Sequence, residues 1–428
     1  MMSATQIMDE QALNFFIKTV GGEVAAELET CARCGLCADA CHFYIATGNP
    51  EYTPIWKVEL LRRAYEQNFT LAGKIKVFLG LEKRIDTQDI AHWSVLDFQA
   101  CTVCKRCSFI CPMGIDIADL IGKVRAGITA AHATPPKLLK MTENQIEKGS
   151  PDGSDEAKWA AWFKWGEEQL GKPLPMDVKG ADSLVVFTML ELNNFRNNLV
   201  HIARIMDAAK EKWTISLRAR DAFNMGTVIG DSEVQKKLAE RIVTVAKELG
   251  VKRVVVTECG HGYTTLRQAA HNLFGETLPF DVVHITELMG EFVRQGRIKL
   301  KPGYFDNGKK ITYHDACKIQ RIGGNFDAPR EILQIIAPNS FVEMNFNREQ
   351  SFCCGGGGGV RAIPEAFELR MEAFSIKAAQ VREVGAEDVV MSCSNCRLQF
   401  QDGFEHFHMQ GEIKGLVEMV AEALITEE

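Results

Sequence analysis

Cys31-Ala-Arg-Cys34-Gly-Leu-Cys37-Ala-Asp-Ala-Cys41 and Cys101-Thr-Val-Cys104-Lys-Arg-Cys107-Ser-Phe-Ile-Cys111-Pro112 share one spacing, Cys-x2-Cys-x2-Cys-x3-Cys, and decide the first third of the chain. In such a pair of runs three closely spaced thiolates hold one [4Fe-4S] cube, and the chain carries the fourth thiolate to the other cube. The crossed ligand sets are therefore Cys31, Cys34, Cys37 and Cys111 for one cubane cluster, and Cys101, Cys104, Cys107 and Cys41 for the other. Zinc is the rival metal, but tetrahedral zinc usually takes two well-separated Cys-x2-Cys pairs rather than four cysteines in one short run. His42 stands after Cys41 where Pro112 follows Cys111. That leaves the local turn open but not the ligands. A packed or solvated histidine is the plain reading of His42, and tuning of a cluster is the sharper one. Between the runs, KVELLRRAYEQ (57–67) and GKIKVFLGL (73–81) have helical spacing, so the module is expected to be helical.

The remaining composition narrows the function classes. The chain has 428 residues, 46% of them hydrophobic, which is enough for two or three domains with their own cores. Its formal net charge of −7 offers no basic surface for a nucleic-acid backbone, nor one to hold an anionic membrane by charge. No stretch approaches the roughly 20 apolar residues of a membrane span, and MMSATQIMDE lacks the regions of a secretory signal. A cytoplasmic protein is expected. Fourteen cysteines in such a chain need an occupation, and their clustering points to metal.

Residues 132–180 concentrate proline, glycine and charge, as in ATPPK, KGSPDGSDE and GKPLP, and are expected to be a linker interrupted by one short helix. Trp159, Trp162 and Trp165 share a face of that helix and read as packing residues. Beyond it strands and helices alternate: SLVVFTML, NLVHIARIMDAAKEK, RVVVTE and DVVHI, then ITYHDAC, APREILQIIA, SFVEMNF and DVVMSC. Such alternation implies parallel α/β units. Phe223-Asn224-Met225-Gly226 aligns with Phe352-Cys353-Cys354-Gly355, and RVVVTECG with DVVMSCSNC, so the second half reads as a duplication. The expected fold is a multidomain α+β chain. Residues 1–131 form a helical ferredoxin-like domain, 132–180 the linker, 181–305 a degenerate first α/β repeat and 306–428 a complete one.

Cys317, Cys353-Cys354 with five following glycines, and Cys393-x2-Cys396 all fall where expected strands give way to loops. In open α/β sheets ligands bind at the carboxyl ends of strands, so these five cysteines can converge. An adjacent pair fits an irregular cluster better than an ordinary cube. The glycines free the backbone to approach sulfur, whereas a merely flexible loop would explain them without the flanking cysteines. His314 and Asp315 precede Cys317, and Glu258, Cys259, His261 and Tyr263 lie in the matching loop of the first copy. The His-Asp pair reads either as a proton source or as a helix cap, and Cys259 either as a buried thiol or as a sixth thiol near the cluster.

The residues Cys317, Cys353-Cys354-Gly355 and Cys393-x2-Cys396 resemble one CCG motif of the heterodisulfide reductase catalytic subunits. With the N-terminal runs, and with ACHFYIATGNPEYTP, TECGHGY, YHDAC and FCCGGGGG, the arrangement is similar to the fused heterodisulfide reductase subunit and more closely to DsrK, over roughly residues 25–410. The resemblance implies a noncubane [4Fe-4S] cluster on Cys317, Cys353, Cys354, Cys393 and Cys396. It implies reduction or formation of a disulfide or trisulfide on a small thiol or DsrC-like sulfur carrier. The implied partners are a membrane cytochrome b-type subunit and other redox subunits, and the implied place is the cytoplasmic face of the inner membrane. A more distant branch shares the layout: iron–sulfur subunits that relay electrons between a glycerol-3-phosphate, lactate or glycolate dehydrogenase and the quinone pool. A third possibility is a non-enzymatic scaffold with structural zinc on the five cysteines.

Overall fold

Four-residue runs such as RVVV and DVVM, bounded by polar loops, form short parallel strands buried on both faces, and amphipathic segments elsewhere form helices. The computed structural model describes residues 10–22, 24–275 and 277–425. It is an α+β chain, mostly helical, with two small parallel sheets. The described residues fall into two units. One holds the residues up to Leu139 together with Val228–Asp231 and Gly355–Ile376; the other holds Lys140–Thr227, Ser232–Cys354 and Lys377 onward.

The first unit is helical. The helices Glu10–Val20, Glu59–Phe69, Thr87–Gln99 and Ile117–Ala130 bury Phe16, Val20, Leu60, Leu61, Ile90, Leu96, Leu120, Ile121 and Val124. Gly127 lets two of them meet, since a Cβ there would stand 2.2 Å from the Phe16 ring. Asp86 starts the helix Thr87–Gln99 with a reciprocal capping box, its side chain accepting the Asp89 N–H while the Asp89 side chain accepts from the Asp86 N–H. Arg125, 1% exposed, ties the unit together by donating to the carbonyls of Asp97, Cys101, Val228 and Gly358 at 2.6–3.1 Å.

The second unit contains both sheets. Strands β1 (Ser183–Val186), β2 (Trp213–Thr214), β3 (Arg253–Val256) and β4 (Asp281–His284) pair in parallel in the order β2-β1-β3-β4. Strands β5 (Ile311–Tyr313), β6 (Asp388–Met391) and β7 (Ile413–Gly415) form the second sheet in the order β5-β6-β7, and Phe341 bridges Ile311 in parallel on the free side of β5. Alternate residues enter opposite cores. Leu184, Val186, Val254 and Val256 pack with Ile242, Val243 and Ala246 of the helix Ser232–Leu249. Val185 and Val255 join Ile202, Met206, Leu288 and Phe292 in the core that also receives Tyr313 and Val390.

Residues 132–180 differ from expectation in holding two helices, Pro136–Lys148 and Glu156–Leu170, rather than one. The first escaped the hydrophobic pattern because its buried stripe is Leu138, Thr142 and Gln145, two of them polar. Trp159 and Trp162 are buried edge-to-face at 5.2 Å, and the Trp159 indole donates to Ser150 Oγ at 2.9 Å.

Candidate functional site

Both N-terminal runs trace the same backbone. The second residue after the first cysteine (Arg33, Val103) and the residue after the second cysteine (Gly35, Lys105) all have positive φ, between 50° and 83°. Three of these four are not glycine, a conformation that persists only where the surroundings impose it. The thiols then gather in two cavities. One is lined by Cys31, Cys34, Cys37 and Cys111 between Ile55, Val58 and Leu120. The other is lined by Cys41, Cys101, Cys104 and Cys107 with His42, Lys57 and Ile121. Each cavity takes three cysteines of one run and the last of the other.

Burial pushes the Cys37 thiol up to about 11 and raises Cys101 and Cys107 as well. Thiols so placed suit a cationic metal centre, whose charge replaces the lost solvation. Lys57, 1% exposed, donates to Ala100 O at 2.6 Å and reaches Cys41 Sγ at 3.6 Å, setting a buried cation against one of the sulfurs.

The five C-terminal cysteines meet at the carboxyl ends of β5 and β6. Cys317 follows β5 and opens a π-helical turn, Lys318–Ile322, a form frequent at functional sites. Cys393 follows β6 as the N-cap residue of the helix Ser394–His406, which carries Cys396. Cys317 and Cys353 Sγ lie 4.0 Å apart, and Cys354 and Cys396 Sγ 3.3 Å apart. All but Cys393 are buried, and none of the five is in a disulfide. The neighbouring Cys353 and Cys396 thiols, with His314 beside them, hold Cys354 well below the usual thiol range, and Cys396 lowers Cys393 as well.

His314 is fully buried beside the Phe400 ring at 4.8 Å, and its ring nitrogen lies within 4.8 Å of the Cys354 and Cys396 sulfurs. Burial lowers its pKa, which favours the neutral imidazole. Asp315 is committed elsewhere. Both its oxygens accept from Arg330 at 2.9 Å and one accepts the Arg348 N–H at 2.7 Å, so it anchors the loop instead of supplying protons. In the matching loop, Cys259 accepts the Gly262 N–H at 3.4 Å, and burial raises its thiol. The Tyr263 hydroxyl is engaged with Glu287 and Arg267, and the His261 ring lies tilted against Phe223 at 5.5 Å.

Residues 30–116 match the family described as a 4Fe-4S dicluster domain, and residues 311–401 match the cysteine-rich domain. The chain carries both of these domains. It is 29% identical, over 93% of its length and 94% of the relative's, to a subunit of the dihydromethanophenazine:CoB–CoM heterodisulfide reductase of Methanosarcina mazei. It is 27% identical, over 93% of its length and 79% of the relative's, to an Hdr-like menaquinol oxidoreductase iron-sulfur subunit of Archaeoglobus profundus. A third relative, 26% identical over 92% of this chain and 58% of its own, is named EtfAB:quinone oxidoreductase in Syntrophomonas wolfei. Over most of its length the chain is thus similar to iron–sulfur subunits of heterodisulfide reductase-like oxidoreductases. Among the described residues no helix is long and apolar enough to cross a membrane.

Around this site stand buried charges, of which sequence reasoning named only Glu258. Lys377 Nζ lies 3.5 Å from Ser351 Oγ, and burial pushes it down to about 8, against the pull of Asp315, Cys353 and Cys354. Glu258 accepts from Ser394 Oγ at 3.2 Å and from Arg397 at 3.5 Å, and Arg397 is shared with Glu418 at 2.9 Å. Glu191 accepts from Asn198 at 3.1 Å and from the Thr257 hydroxyl.

Burial first, and the neighbouring Glu258 second, push Glu191 up to about 8. The folded state therefore holds a proton that the unfolded chain releases near 4.5, and stability falls as pH rises between about 4.5 and about 8. Glu191→Gln should remove that slope, worth up to about 1.4 kcal/mol per pH unit for one proton. Urea midpoints at pH 5 and pH 8 measure it. Equal pH dependence in both proteins would refute the assignment.

Proposed function

We propose that this subunit passes electrons through two cubane [4Fe-4S] clusters, on Cys31, Cys34, Cys37, Cys111 and on Cys41, Cys101, Cys104, Cys107, to a noncubane [4Fe-4S] site on Cys317, Cys353, Cys354, Cys393 and Cys396. There a disulfide or trisulfide of a small thiol or sulfur-carrier protein is reduced or formed. The single observation that carries this reading is the convergence of five cysteines, an adjacent pair among them, at the ends of β5 and β6. The bound clusters supply one-electron transfer and, at the third site, iron able to meet a substrate sulfur.

The chain's own residues supply the rest. Lys57 sets a cation against Cys41, Lys377 sets one near the Cys353-Cys354 pair, and His314 offers an imidazole beside Cys354. The domain division proposed is 1–131, 132–180, 181–305 and 306–428. A duplication of the α/β part is supported by the shared strand order, with the Phe341 bridge taking the place of β2 in the second sheet. In the first copy Asn224 and Met225 are buried where the second has its cysteine pair.

The proposed partners are a membrane cytochrome b-type subunit with other redox subunits, and a DsrC-like carrier or a thiol disulfide, at the cytoplasmic face of the inner membrane. The second reading is an electron relay between a flavin dehydrogenase and the quinone pool. It is favoured by the relative named for quinone oxidoreduction with EtfAB. One assay separates the two. Two electrons and two protons turn one disulfide into two thiols, so the chemically reduced protein is mixed with a low-molecular-weight heterodisulfide and with a cysteine-tailed carrier protein, and thiol release is followed. Turnover that is lost in Cys353→Ala and weakened in His314→Ala is expected. Electron passage from a flavoprotein to a quinone reductase with no thiol release would establish the relay instead.

A further inference from the structure

The segment after the helix Glu59–Phe69 turns its apolar side to solvent. Thr70 caps the helix Leu71–Phe78 by accepting the Gly73 N–H at 3.0 Å. Gly73 is that helix's one buried residue, and a Cβ there would stand 2.1 Å from Glu66 O. The helix thus lies backbone-close on its neighbour and cannot roll its other side inward. That other side carries Leu71, Ile75, Phe78 and Leu79, exposed by 77, 48, 88 and 61%, and Leu81 follows at 75%.

Positions 71, 75, 78 and 79 form one helical stripe, the pattern that ordinarily faces a core. A single exposed leucine needs no explanation, but five large apolar side chains within eleven residues mark an interaction surface. Interleaved with them are exposed Lys74 and Lys76, then Lys83 and Arg84; Lys76 stands 3.8 Å from Glu66 and Lys83 2.5 Å from Asp86, and the one acid of the stretch, Glu82, accepts from Gln67 at 2.8 Å. The charge of the whole chain is −7, yet residues 71–84 carry four cations against the single acid Glu82.

We propose that residues 71–84 seat the N-terminal unit on an anionic lipid bilayer surface, the five apolar side chains entering the interface and the four cations meeting the headgroups. An apolar stripe flanked by lysines is the composition of helices that lie in the interface plane. Lysine is depleted at protein–protein interfaces, which weighs against a protein groove as the occupant. The helix is about 12 Å long at 1.5 Å per residue, so it lies on the bilayer and does not span it. The net charge of the whole chain, which offers nothing to hold an anionic membrane, averages this local surplus away. The inference stands independently of the disulfide chemistry.

The test uses the full chain, with its clusters, in co-sedimentation with phosphatidylglycerol-containing and with pure phosphatidylcholine vesicles. Partitioning to the anionic vesicles, weakened by salt, is expected. The double variant Phe78→Ser/Leu81→Ser should lower the partition coefficient at least about tenfold, because each apolar side chain kept out of the interface forfeits on the order of a decade. Lys74→Glu/Lys76→Glu should abolish the preference for anionic over neutral lipid. All four positions are exposed, so iron content and circular dichroism should match the parent. Slowed amide exchange of 71–81 on vesicle addition locates the contact independently. Absence of binding to anionic vesicles, or equal partitioning of the Phe78/Leu81 variant, overturns the proposal. So does binding through these residues to a detergent-solubilised membrane protein while vesicles are ignored, since the occupant is then a protein.

Discussion

Cys354→Ser is expected to remove one cluster and leave two. Anaerobically reconstituted parent protein should hold about twelve iron atoms, four per cluster, and the variant about eight. Cys354 is 1% exposed, its sulfur is 3.3 Å from Cys396, and its thiolate is favoured by Cys353, Cys396 and His314. A serine hydroxyl is a harder ligand with a far higher pKa, and its shorter bond to Cβ withdraws the donor atom from a position set by buried neighbours. The eight cysteines of the two N-terminal cavities belong to the other unit, whose helical core does not use Cys354. Iron and sulfide counts with electron paramagnetic resonance of the reduced protein decide the matter. Simultaneous loss of all cluster signals would defeat the assignment of Cys354 to a separate site, and so would retention of the full iron complement. Thiol release should disappear with the third cluster.

The parts legible in the sequence were those whose physics is local. Four thiols within one short run can be counted without knowing the fold, and RVVV or DVVM announces a strand buried on both faces because its apolar residues run consecutively instead of alternating with polar ones. The adjacency of Cys353 and Cys354 likewise carried its own chemistry. What escaped depends on partners far along the chain. Gln145 reads as a surface residue of a charged segment, yet it donates to Phe223 O at 2.5 Å and accepts the Met225 N–H at 2.9 Å, which buries the helix Pro136–Lys148. Lys57, Arg125, Glu191 and Lys377 read as solvated helix charges for the same reason. His314 and Asp315 look like one pair in sequence, but alternating side-chain direction after β5 sends the first toward Cys354 and leaves the second bound to Arg330. The helical spacing of GKIKVFLGL (73–81) was legible, while its orientation, apolar side outward, was not.

Arg330→Met should be among the most destabilising single changes in the second unit. The side chains of Arg330 and Asp315 are 5% and 1% exposed, and they meet through two parallel N–H···O bonds of 2.9 Å, the fork geometry that makes arginine a strong carboxylate partner. Arg330 also donates to Glu343 at 2.5 and 3.0 Å and to Phe326 O at 2.9 Å, so one guanidinium fixes the start of the helix Asp327–Ile336 and the loop after β5 together. Methionine fills much of the volume but leaves the buried Asp315 carboxylate with the Arg348 N–H in place of a cation. Uncovering one member of a buried pair costs about 3–5 kcal/mol, against a total of about 5–15 kcal/mol for a typical domain. The urea midpoint should fall accordingly. Cys317 stands two residues from Asp315, so iron retention at the third site should fall with it while the N-terminal clusters persist. The double variant Asp315→Asn/Arg330→Met tests the cause: with both charges gone, much of the loss should return. If the double variant is as unstable as the two single losses added together, packing rather than the ion pair holds this loop, and the electrostatic account of Asp315 falls.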